Sequence, residues 1–215
     1  MDNVTFGKTA ETLFDDNSIE GSFDEFSSAF CVKLGEAVAA ASGRKRVGVC
    51  AAHSRHEAHT PHHEYGALHG AHSKRITRSL LCGLASGGSQ TYEFDGATPA
   101  EAAFFAKTGG CEVTLCVRVS ESRVRIFLYD KDGLYPERSF ERKIADYLNN
   151  ESVFNGEYYE TQQVKTASRA YLDAVTDYCT VSLSGMKIVF ESDNAATNTA
   201  KNAVAAAARG RKCRV

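Results

Sequence analysis

Short apolar runs that alternate with longer amphipathic stretches are the feature that most limits what this chain can fold into. Phe23, Phe26, Phe30, Leu34 and Val38 recur every three or four residues within 22–42, the spacing of one buried helix face. Ser22 with Glu25 has the form of a capping box, and Gly43 that of a helix stop. Residues 46–51 then read as a short buried strand, and 75–86 as a second helix with Ile76, Leu80, Leu81 and Leu84 inward. Gly87-Gly88 ends that helix. Residues 90–94 alternate like a strand, Asp95-Gly96 turns the chain, and Thr98-Pro99 has the form of an N-cap followed by a first-turn proline. Past Gly109-Gly110, two β-type runs at 111–119 and 123–129 close at a turn over 130–133. Helices follow at about 137–149 and 167–178, then a buried strand over 186–191, an alanine-rich helix at 197–208 and a strand start at Cys213. This alternation predicts an α/β fold: a three-layer α/β/α domain with a mostly parallel mixed sheet over 1–150. A linker over 151–166 and an incomplete second α/β unit over 167–215 complete the expected organisation.

Formal net charge is −2 over 215 residues, which gives no global electrostatic case for nucleic acid or an anionic membrane. The start of the chain has neither the basic residues nor the apolar core of a signal peptide, and no run of 18 apolar residues exists. Seven cysteines stand singly without C-x-x-C pairs, a poor disulfide framework and the pattern of reduced thiols in a cytoplasmic protein. Gly7-Lys8-Thr9 lacks the upstream glycine of a P-loop, Asp130–Gly133 is too short for an EF-hand, and the basic end at 209–214 fits a helix C-terminus.

All seven histidines, His53, His56, His59, His62, His63, His69 and His72, fall in one segment. Imidazole is a common ligand for Zn2+ and Ni2+, and spacing by three would put His53, His56 and His59 near one helix face. Pro61 would break that helix, and a solvated loop is the alternative. Full protonation of the seven would move the formal charge from −2 to +5, so pH-dependent association is a further expectation.

Several short motifs stand in a familiar order. Phe6-Gly7 sits where F-G-T-[SD]-G-I-R-G would begin, and the run from Gly43 to Val49 looks like G-x-x-V-x-V-G. Residues 81–99, LCGLASGGSQTYEFDGATP, look like A-G-L-x-x-x-G-x-x-V-x-x-x-G-x-x-x-T-P. Gly109-Gly110 with Thr114, followed by Tyr129–Gly133, looks like G-G-x-x-I-T-A-S-H-N-P and its downstream Y-D-x-D-G. The tracts 171–175 and 185–191 look like the beginning of a second domain, and Asn194 stands near an N-G-A-G turn. In this order the segments resemble the α-D-phosphohexomutases, the phosphoglucomutase and phosphomannomutase family, over almost the whole chain.

The resemblance implies transfer of a phosphoryl group within a hexose phosphate through a phosphoserine, assisted by Mg2+. At the position of that serine, in the active-site loop, this chain has Cys116, with Val117, Arg118 and Val119 replacing the residues that follow. A thiol differs from a hydroxyl in protonation, size and P–S bond stability. Arg118, Arg123 and Arg125 are candidate ligands for the phosphate of such a site or cations acting on Cys116, and a buried inert cysteine is the other reading. The acidic metal loop of the family lies beyond the end of this chain. The expectation is a divergent, shortened phosphohexomutase-like protein without mutase activity on its own, acting as a binding or assembly module. The alternatives are the first part of a split mutase and a His-rich metal-binding protein. A second unit of about one strand cannot close its own sheet, so a homo-oligomer or a second chain is the expected partner, with a sugar phosphate as the small-molecule ligand.

Overall fold

The computed structural model describes residues 10–15, 18–52, 63–95, 98–120, 123–150, 158–178, Lys187 and Val189. A short N-terminal piece, α1 (Ala10–Leu13) and β1 (Phe14–Asp15), leads into β2 (Ser18–Ser22). There follow α2 (Ser28–Ala41), β3 (Val47–Ala52), α3 (His63–Ser86), β4 (Thr91–Phe94), α4 (Pro99–Thr108), β5 (Val113–Ser120) and β6 (Arg123–Asp130). The described elements end with α5 (Arg138–Asn149), β7 (Gln162–Val164) and α6 (Ala167–Tyr178).

One seven-stranded sheet runs β1-β2-β6-β5-β3-β4-β7. β5, β3, β4 and β7 pair in parallel, while β6 pairs antiparallel with both β5 and β2. The sheet is therefore mixed, with most strands running one way. Val47, Val49, Leu115, Val117, Ile126 and Leu128 point to one face, where they bury Phe30, Leu34, Ile76, Leu80, Leu84, Ile144 and Leu148 of α2, α3 and α5. Cys50, Cys116, Phe94 and Tyr129 point to the other, under Ala102, Phe105 and Ala106 of α4. Two helical layers around one sheet make the expected α/β/α architecture.

Three local readings need correction. The Ser22–Glu25 box forms, with the Ser22 N–H donating to the Glu25 carboxylate at 2.8 Å, but it closes a turn after β2. The helix itself starts at Ser28, and Ser27 caps it by accepting from the Phe30 N–H at 3.2 Å. The helix expected from Arg75 begins at His63, so His63, His69 and His72 are helical residues and not loop. Short strands β1, β2 and β7 join the sheet without having been expected. β7, within the tract read as linker, pairs with β4, and α6 packs its Tyr171 ring edge-on against Phe104 of α4 at 5.6 Å. Of the strand expected over 186–191 only Lys187 and Val189 are described; neither is in a strand, and Val189 is exposed. The readings over 197–208 and at Cys213 lie outside the described residues.

Other expectations match residue by residue. Thr98 caps α4 by accepting from the Glu101 N–H at 3.2 Å, with Pro99 at the first helical position. The turn after β6 is held by the Asp130 carboxylate, which accepts from the Asp132 and Leu134 N–H groups at 2.9 Å each, and Gly133 supplies φ +77°.

Candidate functional site

Chain order decides where this sheet offers a binding crevice. From β3 the chain passes through α3 on one face to β4. It then returns through α4 on the opposite face to β5, on the other side of β3. Strand order therefore reverses between β3 and β5, and open α/β sheets take ligands beyond the carboxyl ends of strands at that point.

Register places the sequence-named residues there in rows. Cys50 of β3 lies beside Cys116 of β5, which lies beside Phe127 of β6. Two residues nearer the carboxyl end of β5, on the same face, the next row is Arg118, Arg125 of β6 and Glu20 of β2. The first row is sealed beneath α4. The second is open. Cys50 and Cys116 are fully buried, whereas Arg118, Arg123 and Arg125 are exposed. Arginines directly opposite each other on neighbouring strands repel, so the Arg118–Arg125 pair needs an anion. Glu20 meets part of that need: its carboxylate accepts from Arg123 at 2.8 Å and forks onto Arg125. No ion pair engages Arg118 among the described residues. Asp15 and Glu25 add negative charge at Arg123, so Arg118 is the arginine of this patch that no described ion pair engages.

Hydrogen bonds from Arg123, then Arg125, hold the Glu20 carboxyl below its ordinary value, with charge attraction adding to them. A carboxyl depressed in the folded state stabilises above its unfolded value, about 4.5, and that contribution disappears as pH falls through the lower folded value. Glu20→Gln should therefore have a lower Tm than the parent at pH 7, with the gap closing on acidification below pH 4.5 and narrowing in high salt. A gap independent of pH would show that the loss is packing and not charge.

Cys116, expected in a loop, has a different setting. Cys116 lies inside β5, paired on one side with β3 and on the other with β6. It stands directly beside Cys50 in the β3–β5 register, and both side chains are fully buried. Burial pushes the Cys50 thiol far above its usual range, and Cys116 adds to the rise. Burial likewise raises the neighbouring Tyr129 hydroxyl, with Tyr135 next in effect. Cys116 is sealed from solvent beside them, so no donor of a phosphoryl group reaches it.

His53, His56, His59 and His62 lie outside the described residues. His63 and His69 are placed on α3, and His72 lies flat against Phe23, ring centroids 4.3 Å apart at 6°. Among the described residues no group of three or more His, Cys, Asp or Glu side chains is arranged to hold a metal ion. Glu20, clamped by two guanidinium groups, does not fit a Mg2+ site, so no step is derived through that ion. No described helix is long and apolar enough to cross a membrane.

No family model matches the chain, and no curated protein does. Its fold is similar to a crystal structure described as a "putative phosphomannomutase" from Thermus thermophilus, with a TM-score of 0.63 at 16% identity. The likeness covers 82% of this chain but only 38% of that one. At this identity the likeness establishes a shared fold.

Glu20 and Cys50 were missed from the sequence. One apolar residue, Ile19, between Ser18 and Glu20 is too weak an alternation to mark a strand, and only the β3–β5 register reveals Cys50.

Proposed function

We propose that this chain is a divergent phosphohexomutase-like protein that binds a phosphorylated sugar without transferring its phosphate, serving as a binding module. The observation that carries this reading is the contrast within one strand: Arg118 is open at the switch point, and Cys116, two residues earlier, is sealed. Guanidinium groups suit phosphate oxygens because their planar N–H forks match them. A phosphoryl carrier must be reached by its donor, and a thiol under α4 is not. The likeness in fold to a protein described as a phosphomannomutase supports the choice of a sugar phosphate over other anions.

With hexose 1-phosphate and Mg2+, the purified chain should give no hexose 6-phosphate and no phosphorylated Cys116. Equilibrium dialysis with the same hexose phosphate should show binding that Arg118→Ala weakens at least about tenfold, the size of one charge-assisted hydrogen-bonding group. Glu20→Gln, which removes the competing carboxylate, should tighten it. Turnover by the chain alone, or phosphate on Cys116, would overturn the reading, as would binding indifferent to Arg118.

A further inference from the structure

Arg118 has a closed row of residues on one side of it and an open row on the other, and this limits where the rest of a bound phosphate ester can lie. Cys116, Arg118 and Ser120 alternate along β5 and so share one face of the sheet. Their neighbours across the ladder are Phe127, Arg125 and Arg123 of β6. The Cys116 row lies beneath α4, and Cys116 has no exposed surface. The Ser120 row, at the end of the β5–β6 hairpin, is exposed at both Ser120 and Arg123. Along the strands, therefore, an ester whose phosphate sits on Arg118 extends outward over Ser120.

Charge separates the two rows in the same sense. No ion pair engages Arg118 among the described residues. Arg123 is bound by Glu20 at 2.8 Å, and Asp15 and Glu25 add negative charge around it. Ser22, beside Arg123 on β2, donates its hydroxyl to the Glu25 carboxylate at 3.1 Å. Three carboxylates around Arg123 repel a phosphate placed in that row, while leaving neutral hydroxyl groups unopposed. A serine, which both donates and accepts, suits a hydroxyl-bearing group there. Two residues of antiparallel strand set the rows about 7 Å apart, a span that one sugar ring attached to its phosphate can bridge.

We infer that Ser120 is the residue that tells a sugar phosphate from other phosphates, its hydroxyl bonding a ring hydroxyl while the phosphate rests on Arg118. This rests on the reading of Arg118 as a phosphate site and adds where the sugar lies and what recognises it. A group placed to hydrogen-bond a ligand hydroxyl disfavours an ester that has none. Ser120 is open to water, so the discrimination is that of one exposed hydrogen bond.

Equilibrium dialysis of the full chain against glucose 1-phosphate and, separately, methyl phosphate tests this, because the second ligand keeps the phosphate and has no hydroxyl beyond it. Ser120→Ala should weaken glucose 1-phosphate about fivefold, the size of one neutral hydrogen bond, and leave methyl phosphate unchanged. Ser120→Thr, which keeps the hydroxyl, should bind both as the parent does. Arg118→Ala should weaken both alike. If both ligands depend on Arg118 but Ser120→Ala shifts the two equally, or shifts neither, Ser120 does not read the sugar and this inference alone falls. If neither ligand depends on Arg118, the phosphate site itself is wrong, and the role of Ser120 falls with it.

Discussion

Gly83→Ala is expected to be the most damaging conservative change in the protein, and its damage should run against helix propensity. Gly83 lies within α3, where alanine ordinarily stabilises by about 1 kcal/mol relative to glycine. A Cβ at this position would stand 1.9 Å from the Val32 carbonyl oxygen and 2.7 Å from its carbonyl carbon. Both atoms are backbone of α2, so no rotamer change relieves the overlap. Gly35, on α2, makes the reciprocal approach: its Cβ would lie 2.4 Å from the Leu80 oxygen of α3. The two helices thus cross in backbone contact, and inserting a methyl group must push them apart. Separation would loosen Leu34, Leu80 and Leu84, each fully buried at that crossing. Overpacking of this kind costs about 1–3 kcal/mol where side chains can yield, and more where they cannot. A net loss above about 2 kcal/mol is expected after the propensity gain, read as a fall in the urea midpoint. Gly70→Ala on the same helix is the control. Its Cβ would meet nothing within 4 Å, so the variant should be neutral or more stable by up to about 1 kcal/mol. Equal midpoints for the two variants would show that α2 and α3 do not meet as described.

That crossing also marks what was legible in the sequence and what was not. Apolar spacing named Leu34, Val38, Ile76, Leu80 and Leu84 as inward, and all five are buried. Gly35 and Gly83, which set how closely the two faces approach, carry no side chain to contribute to a periodic pattern. The same limit applies to the sheet. β3, β4, β5 and β6 carry enough apolar or alternating residues to be read locally. β1, β2 and β7 are short and mostly polar, and take extended form from the ladder of a stronger neighbour. The candidate site inherits this division. Arg118, Arg123 and Arg125 lie on strands that local patterning finds. Glu20 lies on β2, more than a hundred residues away in the chain, and reaches its two arginines only through the β2–β6 register. Non-local register is the information that a local pattern does not hold.

Cys116→Asp should be the second large loss, and it bears directly on whether Cys116 can carry a phosphoryl group. An accessible phosphoryl carrier must tolerate negative charge, because its phosphorylated form has it. Cys116 has no exposed surface; its surroundings are the Cys50 thiol, the raised Tyr129 hydroxyl and apolar side chains beneath α4. A carboxylate placed there is buried without a cation, a change that typically costs about 3–5 kcal/mol. The new carboxyl would be protonated more readily in the folded than in the unfolded protein. Its penalty should therefore grow as pH rises above the unfolded carboxyl value of about 3.9, and be smallest in acid below it. Cys116→Ser puts a hydroxyl in place of the thiol and should be milder, at about 1–3 kcal/mol, the cost of burying a poorly paired hydroxyl. It should confer no transfer between hexose phosphates, because the obstacle is access and not the identity of the nucleophile. If Cys116→Asp instead melts within a degree or two of the parent at pH 7, the strand must open far enough to admit solvent and charge. Cys116 would then be within reach of a donor and a candidate to carry phosphate.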